Sequence, residues 1–145
     1  MAEANSYPYV GYLSACKTSG GFFRIGNYSS VRDCVTLANS LTSRPISVVV
    51  DAHNFQFYNS GIFSNCGTNL SLGALLVGMN DYSWNVKLSW GTNWGEKGYI
   101  RLSRGNTCGI CSYASYPNVL WSNKIYNWIK DNQNLINVII TIIWL

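Results

Sequence analysis

Five cysteines, at positions 16, 34, 66, 108 and 111, and one histidine, His53, hold most of the nucleophilic and proton-transfer chemistry open to this chain of 145 residues. A thiol becomes an effective nucleophile when an imidazole within hydrogen-bond reach takes its proton, so a Cys–His pair would point to acyl transfer. His53 directly follows the β-branched run from Ile46 to Ala52. A lone histidine there reads as a surface or hydrogen-bonded structural residue rather than a base. Cys108-Gly109-Ile110-Cys111 is formally a CxxC. One such pair without a second Cys/His pair is weak support for zinc, and no βαβ pattern supports a thioredoxin-like site, so no metal or cofactor is expected. The odd cysteine count instead leaves at least one thiol over if disulfides form.

Several elements must position these groups. Gly20-Gly21 marks a turn, and Phe22 to Tyr28 reads as a strand. Ser29 or Ser30 can cap a helix from Val31 to Leu41, with Val31, Cys34, Val35, Ala38 and Leu41 on one face. Cys34 lies on that stripe and reads as a small buried hydrophobe. Pro45 precedes a core strand from Ile46 to Ala52. Further on, Trp84 to Leu88 forms a short strand that runs into the Gly/Trp turn Trp90-Gly91-Thr92-Asn93-Trp94-Gly95, and Tyr99 to Leu102 forms the return strand.

The stretch KLSWGTNWGEKGYI, from Lys87 to Ile100, resembles the segment K-N-S-W-G-x-x-W-G-x-x-G-Y-I of papain-family (cathepsin L-like) cysteine peptidases. Lys87, Ser89, Trp90, Gly91, Trp94, Gly95, Gly98 and Tyr99 match, while Leu88 stands where that family has its orienting asparagine. Cys66-Gly67 to Val77-Gly78 resembles C-G-x-x-x-x-H-A/G-x-x-x-V-G, with Leu72 in the place of the catalytic histidine. The runs YPY at 7–9, PISVVVDA at 45–52, GIF at 61–63 and N-x-C-G-I at 106–110 extend the resemblance over about residues 6–118. It implies an α+β fold, an antiparallel β-barrel-like C-terminal lobe with a short helix. The lobe is placed at 1–118 and an apolar extension at 119–145.

The resemblance also implies roles. In the family, histidine and asparagine meet beneath a tryptophan, here Trp90. Losing one polar partner leaves the other unpaired at ~1–3 kcal/mol, whereas replacing both by apolar groups can be nearly neutral. Leu72 and Leu88 therefore read as a repacked, hydrophobic former active site. Ala52, Leu70, Gly73 and Tyr113 fall at wall and floor positions of the main specificity pocket, which the bulk of Tyr113 would make shallow. Relatives join the cysteines at the positions of Cys66 and Cys108. The cysteine at the position of Cys16 bridges to the N-terminal lobe, so Cys16 is expected to have no intrachain partner. That lobe supplies the cysteine nucleophile and the oxyanion-hole glutamine, and none of the five cysteines here matches the nucleophile. The expected function is that of an inactive pseudoenzyme lobe acting as a binding or structural protein, with an N-terminal papain-like lobe or another chain as partner. The alternative is the C-terminal part of a working cysteine endopeptidase with altered His and Asn positions. Location is not fixed by these residues, although the resemblance suggests a lysosomal, vacuolar or secreted protein.

Composition sets outer bounds. The net charge of +4 comes from ten scattered Lys and Arg without a basic run, which gives no case for nucleic acid. Hydrophobic residues make up 48% and charged residues 11%, the apolar end for a soluble domain. Met1 to Asn5 lacks the basic and apolar regions of a secretory signal, so the chain is expected to begin at an expression boundary or inside a longer precursor. Near the other end, Ser122 to Asp131 has the spacing of a short amphipathic helix. The apolar run 135–145 would span only ~16 Å as a helix against the ~30 Å hydrocarbon core, so no integral membrane span is expected. It reads as a strand or a lobe-packing segment. A membrane-tethered scaffold would rest on that tail alone.

Overall fold

The computed structural model describes residue 8, residues 10–15 and residues 23–121, with side chains in the last stretch from 25 to 118. The sequence readings for Cys16, for the 122–131 helix and for the 135–145 run lie outside the described residues. Residues Tyr28–Tyr116 form one compact unit, which carries every site feature described below. The other joins Met1–Asn27 to Pro117–Leu145; in it the Asn118 amide donates to Asn27 Oδ1 at 2.6 Å.

Seven strands and one helix follow one another as β1 (Phe23–Val31), α1 (Cys34–Leu41), β2 (Ile46–Val50), β3 (Ile62–Phe63), β4 (Leu72–Met79), β5 (Ser83–Lys87), β6 (Tyr99–Ser103) and β7 (Ala114–Trp121). Short 3-10 turns sit at Phe55–Phe57 and Thr107–Gly109. The strand order is β1-β7-β2-β4-β5-β6-β3. The α+β class holds. The sheet, however, is mixed and open: β3 pairs with β6 in parallel, and β1 and β3 stand at opposite ends of the order. Two-residue β3 and β6 are joined by a connection that passes through β4 and β5, long enough for a parallel pairing, which a tight hairpin could not give.

Alternation explains the central strand. Ile46, Val48 and Val50 are fully buried, while Ser47 is exposed and Val49 half-buried. Branched side chains on one face of a strand pack the core and leave the other face open. The core joins these residues to Leu76, Trp84, Val86, Ile100 and Leu102 from β4, β5 and β6, and to Phe55 and Ile110. Buried Trp84 satisfies its indole N–H on Gly105 O at 3.0 Å, and the Arg104 guanidinium covers its ring at 3.8 Å. A bulge at Val77 separates the register pair Leu76–Val86 from Gly78–Asn85.

The helix differs from its sequence reading. Residues 29–31 continue β1, and α1 starts only at Cys34, capped by Asp33, whose Oδ1 accepts from Thr36 N at 2.8 Å. An aspartate at the N-cap ranks with serine and displaces Ser29 and Ser30 because the strand has already claimed their backbone. Starting later rotates the inward stripe. Leu37 and Leu41 are buried, Cys34 and Ala38 pack against the core, and Val35 is 72% exposed. Val31 is buried from the strand rather than from the helix.

Candidate functional site

Leu72 opens β4 opposite Val50, and Leu88 follows directly on β5 with its N–H donating to Gly98 O at 3.0 Å. Leu88 belongs to the core cluster, and half-buried Leu72 packs against it. Neither side chain can accept or donate a proton. Two residues after Leu88 in the chain, Trp90 is partly exposed and meets Trp94 edge-on at 4.9 Å and Phe55 at 6.4 Å between ring centroids. The Trp94 indole N–H donates to Phe55 O at 3.2 Å, which ties the turn to the buried phenylalanine. The turn needs a glycine at 95: φ is +53°, and a Cβ there would lie 2.8 Å from Tyr99 O. Glu96 holds the return strand. It accepts from Gly61 N at 2.9 Å and pairs with Arg101 through Nε and Nη2. The Arg101 hydrogen bonds, and then the Gly61 N–H, lower the Glu96 carboxyl to about 2.

Gly73, Leu75, Lys87, Leu88 and Ser89 border a shallow groove of about 460 Å³ that also reaches Ser47. Of the four residues expected at the specificity pocket, Gly73 borders this groove and Tyr113 a concavity beside Val49. Gly73 is the register partner of Val49, and Val49 N donates to Tyr113 O at 2.9 Å, so Gly73 and Tyr113 flank Val49 on the open face. Ala52 belongs to the core instead, with its N–H on Ser71 Oγ at 3.1 Å. Leu70 packs on the Gly109 turn, where a glycine Cβ would meet its Cδ2 at 2.6 Å. Neither Ala52 nor Leu70 lines the groove at Gly73 or the concavity at Tyr113. Val49 sits between Gly73 and Tyr113, on the side of β2 opposite the buried Ile46, Val48 and Val50.

The His53 Nδ1–H donates to Asp51 Oδ1 at 2.6 Å, and the His53 side chain is 59% exposed while that of Asp51 is buried. Asp51 also accepts from His53 N and from Asn69 N, both at 3.2 Å. The hydrogen bond from His53 foremost, against burial, holds the Asp51 carboxyl below its ordinary range. His53 is thus a hydrogen-bonded surface residue.

Cys66 and Cys108 form the disulfide that the resemblance implies. The second bridge, Cys34–Cys111, corrects the reading of Cys34 as a packing hydrophobe. The CxxC is therefore split between two partners. Cys108 adopts φ +54°, and Cys111 N donates to Asn106 Oδ1 at 2.8 Å, so the turn between them directs the two sulfurs apart. All four cysteines among the described residues are oxidised, which leaves no thiolate for acyl transfer there. No group of His, Cys, Asp and Glu among the described residues could hold a metal ion.

Comparison with known proteins is consistent with this geometry. Residues 1–118 match the sequence model of the papain family cysteine proteases. Cathepsin L 2 of Paramecium tetraurelia is 43% identical over 120 residues, covering 81% of this chain and 38% of that protein. Vignain of Ricinus communis is 41% identical over 133 residues, covering 79% of this chain and 37% of that protein. The chain therefore spans well under half the length of these curated relatives. Among solved structures, inhibitor-bound bromelain protease from Ananas comosus superposes with a TM-score of 0.74 at 36% identity, covering 81% of this chain and 62% of that one.

Proposed function

Because the chain belongs to the papain family of cysteine proteases, we propose that it is a catalytically inactive member of that family, whose C-terminal-type lobe, residues 1–118, works as a binding or structural element. One observation supports the reading: the two positions that the family motifs give to histidine and asparagine are Leu72 and Leu88, the second in the core and the first packed against it. General-base activation of a thiol requires a basic atom within hydrogen-bond reach, and no leucine has one. His53 does not substitute, since the four cysteines among the described residues are all in disulfides and leave no thiol there for it to deprotonate. The open sheet face around Gly73, Val49 and Tyr113 would then hold a peptide or protein segment without cutting it. An N-terminal papain-like lobe or another protein chain would be the natural partner, and 119–145 would be an apolar extension outside the lobe. Two disulfides suit an oxidising compartment, in keeping with a lysosomal, vacuolar or secreted family. Among the described residues no helix is long and apolar enough to cross a membrane.

The test is incubation of the purified protein with fluorogenic peptide amides and a thiol-directed epoxide probe, alone and mixed with an intact N-terminal lobe. No turnover and no labelling are expected. Any turnover overturns the reading, and a parallel His53→Ala variant then tells whether His53 or another group is the base.

A second reading is favoured by the share of the relatives' length that is covered, 37–38%. Here the residues would be the C-terminal part of a cysteine endopeptidase with altered His and Asn positions. A natural precursor bearing an upstream Q-x-x-x-x-x-C motif would support it.

A further inference from the structure

On the open face of the sheet a second concavity, of about 290 Å³, lies beside Val49 and shares Ser47 with the groove at Leu75 and Lys87. Arg32, Tyr113, Ser30, Ser47 and Ser115 border it together with Val49. The Arg32 guanidinium stands 5.1 Å from the centroid of the Tyr113 ring. Stacking on a ring restrains the guanidinium plane while its edge N–H groups remain available as donors. No carboxylate borders the concavity, and no ion pair engages Arg32 among the described residues. The nearest acid in sequence, Asp33, is committed as the helix cap, with Oδ1 on Thr36 N. Among the described residues the site therefore offers a guanidinium without an acidic partner, serines at 30, 47 and 115, and apolar surface from Val49 and the Tyr113 ring. That is complementary to a carboxylate on a short apolar stem, and the volume suits one side chain rather than a whole small-molecule ligand.

We propose that this concavity binds the acidic side chain of a peptide segment laid along the sheet face, with Arg32 anchoring the carboxylate. The inference deepens the binding role proposed above and rests on it. A glutamate carboxylate is met by charge-assisted hydrogen bonds, its methylenes lie on Val49 and the Tyr113 ring, and a lysine at the same position is repelled.

The experiment is fluorescence anisotropy with three fluorescein-labelled hexapeptides of alternating alanine and valine that carry glutamate, glutamine or lysine at one central position. The glutamate peptide is expected to bind about 10-fold more tightly than the glutamine peptide, with the lysine peptide weakest. Arg32→Met should bring the glutamate peptide to the level of the glutamine peptide and leave the latter unchanged within about twofold, whereas Arg32→Lys keeps part of the preference. Raising the salt to 1 M should shrink the preference in the native protein, as screening requires. Equal affinities for glutamate and glutamine, or a preference that survives Arg32→Met, would overturn the site while leaving the binding reading intact. If all three peptides fail to bind, the binding reading itself falls and takes this site with it.

Discussion

Removing the Cys34–Cys111 bridge with the double variant Cys34→Ala/Cys111→Ala measures how far the fold depends on a pairing with no counterpart in its motifs. The two residues are 77 apart in sequence, and both pack with the core, Cys111 being 2% exposed. Cross-linking a loop of that length removes chain entropy worth ~4.5 kcal/mol at room temperature if it acts alone. It does not act alone. With Cys66–Cys108 in place, the shortest path from 34 to 111 runs across that bridge and is only roughly 36 residues long, which reduces the figure to ~4 kcal/mol. Losing the two sulfurs from the core adds to the loss. The expected destabilisation is ~3–5 kcal/mol, a large share of the ~5–15 kcal/mol typical of a domain. In urea, with a slope of ~2 kcal/mol/M, this is a midpoint drop of ~2 M at unchanged slope. The partner variant Cys66→Ala/Cys108→Ala removes a bridge across a 42-residue separation, which the remaining Cys34–Cys111 bridge likewise shortens to roughly 36, and should lose a similar amount. A loss below ~1 kcal/mol for the first variant would refute the reasoning. So would alkylation of Cys34 and Cys111 in the unreduced native protein.

Three further outcomes follow from the geometry. Glu96 has a folded-state pKa of about 2 against an ordinary 4.5, so its contribution is present above about pH 4.5 and is lost as the pH falls toward 2. Glu96→Gln should therefore lose ~1 kcal/mol near neutrality, a modest figure for a partly exposed pair, and flatten the acid limb of the stability profile; an unchanged profile would assign that limb to other carboxylates. Gly109→Ala should destabilise by ~1–3 kcal/mol, because φ is +71° and the new Cβ would lie 2.6 Å from Leu70 Cδ2; thermal melting checks it. Arg104→Ala should lose ~0.5–1 kcal/mol through the cation lying on the Trp84 ring, with a change in tryptophan emission as the second readout.

Much of this protein was legible in its residues, for local reasons. The alternation Ile46–Val50 announces a strand with one buried face, because side chains on a strand point alternately to its two sides. Motifs at 66–78, 87–100 and 106–110 carry the family, and with it the Cys66–Cys108 bridge and the two leucines. Other features were decided only by the tertiary structure. Cys34 at helical spacing looks the same whether it packs as a hydrophobe or bonds to a sulfur, and its partner is 77 residues away. Ser29, Ser30 and Asp33 are all good caps, and pairing in β1 chose among them by occupying the backbone of the serines. Asp51 and His53 are two residues apart in sequence. That the first is buried and grips the exposed second depends on Asn69 and Cys108 closing over the carboxylate and its backbone. The open face likewise exists only because β2, β4 and the 113 turn converge there, placing Val49 between Gly73 and Tyr113 while Ala52 turns inward. A single sequence records which side chains are apolar and at what period. Which distant segments meet is settled by packing and hydrogen bonding between them, and no local pattern encodes those contacts.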